Sequence, residues 1–113
     1  MLEGALLVAA LTAGDAQAGE AVYSRCLACH SLEVNRTGPK HCGVVGRRAG
    51  SVPGYDYSPT MKRSKLVWDG KTLDRFLADP LKTVPGTTMT YAGVPDAKDR
   101  ADLIAYLKRQ QCK

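Results

Sequence analysis

Cys26-Leu27-Ala28-Cys29-His30 constrains this chain more than any other stretch. Two thiols two residues apart, followed at once by an imidazole, form the C-x-x-C-H pattern of c-type haem attachment. The spacing follows from the chemistry. Each thiol adds across one vinyl group of the same porphyrin edge, and the two intervening residues span those vinyls. The next residue, His30, then turns its ring under the iron. Ligation needs a neutral imidazole with one nitrogen on the metal, while the other donates a hydrogen bond that fixes the ring. Other uses of the pattern fit less well. A thioredoxin-type redox pair opens a helix in a βαβ pattern, which this sequence lacks. Half a zinc site would need a second C-x-x-C or paired His, and neither follows.

With 113 residues the chain is one small domain, too short to bury a large core of its own. It has one Trp and one Phe, and its eleven Gly and six Pro suggest long loops between few helices. A covalently held haem would supply the missing apolar centre. The formal charge is +5, which reads either as ordinary surface solvation or as a basic face that steers toward an acidic partner. Nucleic acid is a poor partner for this chain, because the bases are scattered and not interleaved with aromatics.

Residues 1–18 read as a signal peptide, and residues 19–113 as the mature domain. Ala5 to Leu11 is an apolar run too short to span a bilayer, and Ala16-Gln17-Ala18 fits an A-x-A cleavage site before Gly19. The segment carries Glu3 and no Lys or Arg ahead of that run. Its removal takes away two acids and no base, leaving sixteen bases against nine acids, or +7. A cleaved leader, covalent haem and spare cysteines suit the bacterial periplasm.

The expected fold is all-α. A short helix runs from Gly19 to about Ala28, with the attachment motif at its C-terminal end. Ser31 to Gly54 reads as loop, and a helical turn is expected from Pro59 to Lys65. Asp69 caps a helix over Gly70 to Ala78 whose apolar face is Leu73, Phe76 and Leu77. Pro80 ends it, and Leu81 to Gly93 reads as loop with a turn at Pro85-Gly86. Asp96 caps the last helix, whose face is Leu103, Ile104, Tyr106 and Leu107, with Lys108 and Arg109 near its negative end. No strand pattern or repeat is visible.

A His-bound iron takes a second axial ligand or keeps an open site. Met1 lies in the leader, Met61 in a polar stretch, and Met89 in Val84-Pro85-Gly86-Thr87-Thr88-Met89. A Met is ordinarily a flexible core filler. The rigid Pro-Gly turn and the 59 positions between His30 and Met89 favour Met89 as the ligand on the other haem face.

From Gly19 to Lys113 the sequence resembles the class I cytochromes c, specifically the cytochrome c2 and mitochondrial cytochrome c group. The resemblance rests on the attachment motif, Thr37-Gly38-Pro39, Gly43-Val44-Val45-Gly46-Arg47, Pro53-Gly54-Tyr55-x-Tyr57, Trp68, Pro85-Gly86-Thr87-x-Met89 and Leu103-Ile104-Ala105-Tyr106-Leu107. It implies a few short helices and long loops wrapped around one covalent haem c per chain. It also implies roles. The Pro39 carbonyl accepts the His30 hydrogen bond, while Arg47, Tyr57 and Trp68 bond or neutralise a buried propionate. Thr87 lies on the propionate side, and His30 and Met89 ligate the iron. Some positions depart from the family. Phe76 stands where many relatives have Tyr, Met61 where many have Asn, and Thr88 where a Lys is common. His41 replaces an apolar haem-packing residue.

Haem attachment leaves Cys42 and Cys112, and the resembled fold brings the loop after the proline toward the end of the last helix. A Cys42–Cys112 disulfide is expected on that basis, the alternative being two free thiols. The implied function is one-electron transfer between a bc1-type donor and a reaction centre or terminal oxidase, by a monomer touching the membrane surface only in passing. Arg25, Lys40 and Lys82 are the bases expected to dock, since they flank the attachment motif, the proline loop and the Met loop. The competing readings are a small haem enzyme or gas binder, such as a peroxidase or nitric oxide binder, and a structural interaction protein.

Overall fold

Asp15 sets the start of the first helix. Its backbone is extended and its carboxylate accepts the N–H groups of Gln17 and Ala18, at 3.0 and 3.3 Å, so α1 runs over Ala16–Tyr23. The structure, a computed structural model, describes residues 14–112. The expected start at Gly19 is therefore three residues late. Asp15 is an efficient N-cap whose oxygen satisfies otherwise orphaned donors, a role the sequence reading did not assign to it. The expected end is late as well. After Tyr23 the chain tightens into a 3-10 turn, Ser24–Cys26, while Ser24 Oγ donates to the Ala21 carbonyl at 2.6 Å.

Ser58 caps α2 (Pro59–Arg63), with proline in its first turn. Asp69 and Thr72 form a reciprocal capping box at the start of α3 (Gly70–Ala78). Pro80 does more than stop α3. With extended Asp79 as its cap it opens a further short helix, α4 (Pro80–Thr83), where loop was expected. A proline suits the first helical position, where its missing N–H costs nothing. Asp96 caps α5 (Ala97–Lys108) by accepting from Asp99 N–H at 3.0 Å. Among the described residues the only β pairing is an isolated bridge between Arg48 and Val67.

The frame is the crossing of α1 on α5, with α3 packed on α5 and α4. Gly19 makes the crossing possible. A Cβ there would overlap the Asp102 carbonyl oxygen and sit 2.9 Å from Tyr106 Cβ. The contact also carries a polar clamp. Asp102, 4% exposed, accepts the Asp15 backbone N–H at 2.8 Å and Lys98 Nζ at 2.9 Å. The bond from Asp15, then that from Lys98, holds its carboxyl below the usual range despite desolvation. Its stabilisation is therefore present above the unfolded carboxylate range and is lost as pH falls through the depressed folded value. Val22 and Tyr23 of α1, Leu73, Phe76 and Leu77 of α3, and Leu103 of α5 are buried together. The A-x-A stretch Ala16-Gln17-Ala18 is the first turn of α1, with Ala16 buried. The apolar run Ala5 to Leu11 lies outside the described residues.

Candidate functional site

The buried faces of α1, α3 and α5 enclose a cavity of about 550 Å³. Cys26, Cys29 and His30 line it, the first closing the 3-10 turn and the others following in a turn. Backbone bonds from Cys29 and His30 N–H to the Cys26 carbonyl, at 3.2 and 2.9 Å, coil the motif tightly. Arg36, which the sequence did not single out, secures it from outside. Its guanidinium donates to the Leu27 and His30 carbonyls at 2.7 and 3.2 Å. Cys26 is half-buried and Cys29 exposed, and neither is in a disulfide. Burial pushes the Cys26 thiol up.

His30 is buried, and its Nδ1 lies 2.8 Å from the Pro39 carbonyl oxygen. Desolvation lowers its pKa below the usual imidazole value, which favours the neutral ring. With Nδ1–H donated to Pro39, Nε2 keeps a free lone pair. Gly38 makes room for this ring, since a Cβ there would overlap it. That closeness is the physical reason for glycine in Thr37-Gly38-Pro39. His41 stacks on His30, ring centroids 3.9 Å apart and 19° between planes, and its Nδ1 is 3.0 Å from the Tyr23 hydroxyl. Burial first, then the neighbouring His30, lowers the His41 pKa well below its usual value.

Met89 and Met61 both line the cavity, Met61 from α2 and Met89 from the segment after the Pro85-Gly86 turn. The Met89 N–H donates to Thr87 Oγ1 at 3.3 Å. Arg47, Tyr57, Trp68 and Thr87 line the same space. Arg47 is half-buried, its pKa lowered by desolvation, and it donates to the Cys42 carbonyl at 3.4 Å. The Tyr57 hydroxyl accepts from Val52 N–H at 3.1 Å, and Trp68 packs against Phe76 with ring centroids 5.0 Å apart. Outside the cavity, Cys42 and Cys112 are joined as a disulfide with Cα atoms 5.0 Å apart. Beside it Gly43 N–H donates to the Gln110 carbonyl, tying the proline-side loop to the end of α5. Of the expected docking bases, Arg25 lines the cavity mouth but pairs with Asp99 at 3.0 Å. Lys82 is exposed on α4, and Lys40 is half-buried.

A family model described as cytochrome c matches residues 16–111. The chain belongs to the cytochrome c family. Among its relatives, cytochrome c of Euglena viridis is 49% identical over 98 residues, covering 84% of this chain and 96% of that protein. Cytochrome c2 of Rhodomicrobium vannielii is 45% identical over 113 residues, covering 95% and 90%. The solved structure of cytochrome cH from Methylobacterium extorquens superposes with a TM-score of 0.82 at 50% identity, over 84% of this chain and 98% of that one. The fold is that of a class I cytochrome c, and the cofactor is covalent haem c. The cytochrome's donor set fits that group: two free thiols, a neutral imidazole oriented by a carbonyl, and a thioether line one apolar cavity. This cytochrome is an electron carrier.

Proposed function

We propose that this cytochrome is a periplasmic one-electron shuttle between a bc1-type donor and a reaction centre or terminal oxidase, with His30 and Met89 as axial ligands. The observation that carries the reading is the single cavity lined by both the His30 motif and Met89. The haem supplies the redox chemistry when bound. Cys26 and Cys29 would anchor it, and Pro39 holds the His30 tautomer. Arg47, Tyr57, Trp68 and Thr87 offer donors for propionates, without which buried carboxylates would be costly. With His30 and Met89 both holding the iron of a bound haem, no position would be left there for a substrate. An enzyme would instead need a base facing an open site, and His41 is spent on the His30 ring. Flash or stopped-flow oxidation by each candidate acceptor tests the shuttle. The physiological acceptor oxidises the cytochrome within turnover, and no oxidation by either class contradicts the reading.

Docking in this proposal is electrostatic. Arg25 is partly neutralised by Asp99, so Lys82 carries more of the local field than Arg25, with Lys40 contributing less. Steering is screened over about 10 Å at 0.1 M salt. The association rate with an acidic partner should fall at least about tenfold from low to high salt; a flat salt profile would contradict it.

The leader belongs to this proposal too, with its boundary moved. Cleavage before Gly19 would remove the Asp15 cap and the bond from Asp15 to Asp102. Intact-mass analysis of the exported holoprotein should therefore place its first residue at or before Asp15. A chain beginning at Gly19 would contradict that boundary.

A further inference from the structure

His41 is a polar side chain stacked on the His30 imidazole for which the family reading has no role. Three observations define it. Its ring lies nearly parallel to that of His30 at 3.9 Å. Its Nδ1 is 3.0 Å from the Tyr23 hydroxyl, and Tyr23 is 3% exposed, buried in the α1 face. Both rings line the haem cavity. Tyr23 is itself held against Tyr106 of α5, ring centroids 5.3 Å apart, so the pair is anchored in the α1–α5 frame.

We propose that Tyr23 and His41 form a positioning pair that lowers the reduction potential of the haem through His30. The inference rests on His30 being an axial ligand. The Tyr23 hydroxyl donates to His41 Nδ1 and fixes the angle of that ring. The neutral His41 ring then presents its π face to the His30 ring. On oxidation of a bound haem, the His30 imidazole would take on positive charge. A polarisable aromatic face stabilises that charge as it stabilises any nearby cation. An aliphatic side chain at position 41 would fill the same space without that attraction. The ferric state is thus favoured, in the way that groups around a metal ligand tune the metal. No proton or bond changes hands; the pair acts by orientation and polarisation alone.

A double-mutant cycle on the holoprotein tests this, reading the midpoint potential and the near-infrared Met-to-iron band of four proteins: native, His41→Leu, Tyr23→Phe and the double variant. Leu keeps an apolar filler at position 41, and Phe keeps the ring at 23 while deleting its hydroxyl. His41→Leu should shift the ferric-to-ferrous balance toward ferrous about fivefold, against 59 mV for tenfold in a one-electron couple. Tyr23→Phe should shift it the same way by about twofold, and should do nothing further in the His41→Leu background. Should His41→Leu fail to fold, Tyr23→Phe alone must still raise the potential. An unmoved or lowered potential in the folded variants, or a Tyr23→Phe effect undiminished in the Leu background, overturns the proposal. If the oxidised native protein does not give the low-spin spectrum of a His/Met haem, the failure lies in the axial-ligation reading on which the pair rests; that spectrum with an unmoved potential overturns the Tyr23–His41 pair alone.

Discussion

Met89→Ala should abolish the near-infrared Met-to-iron band of the oxidised holoprotein and lower its potential by on the order of 100 mV, within the range over which axial ligands act. A thioether stabilises ferrous iron relative to a harder ligand, so its loss favours the ferric state. The control is informative because Met61 lines the same cavity and is more deeply buried. Met61→Ala should leave the band in place and destabilise the fold by the usual cost of a buried Met truncation, about 2–5 kcal/mol. The difference between the two positions lies in their backbones. Met61 sits inside α2, whose second residue Thr60 closely approaches Gly86. Met89 follows the Pro85-Gly86 turn, where Gly86 has a φ of 82° that favours glycine. If Met61→Ala removes the band and Met89→Ala does not, the ligand assignment is wrong.

Gly19→Val should cost about 3 kcal/mol or more, read as a lower denaturant midpoint of the holoprotein. Even the first carbon of a side chain would overlap the Asp102 carbonyl. The obstacle is backbone, not a flexible side chain, so relief requires α1 to move off α5. That motion would disturb Val22, Leu103 and Ile104, all buried near this crossing, and the bond from Asp15 to Asp102. It would also displace the 3-10 turn that delivers Cys26. A native midpoint in Gly19→Val would show that the helices do not cross as closely as described.

The family, the all-α fold and the haem were legible because they rest on local chemistry. C-x-x-C-H is contiguous, and α3 and α5 announce themselves by Asp caps followed by apolar residues at helical spacing. What stayed hidden depends on context. Asp15 has the same sequence whether or not it belongs to a leader, and its capping role shows only through contacts such as its bond to Asp102, 87 positions away. Pro80 stops one helix or starts another, and Asp79 in extended conformation selects the second. Arg36 reaches carbonyls that have no sequence signature. His41 read as an unexplained replacement because stacking on His30 needs the chain to turn back at Pro39, a long-range fact that no spacing rule contains.

The optical spectrum of the oxidised native holoprotein, recorded with and without peroxide, tests the central claim most directly. A carrier with both axial positions filled gives a low-spin spectrum with the Met-to-iron charge-transfer band and no rapid peroxide turnover. A high-spin spectrum with rapid turnover would mean an open iron, and would contradict it.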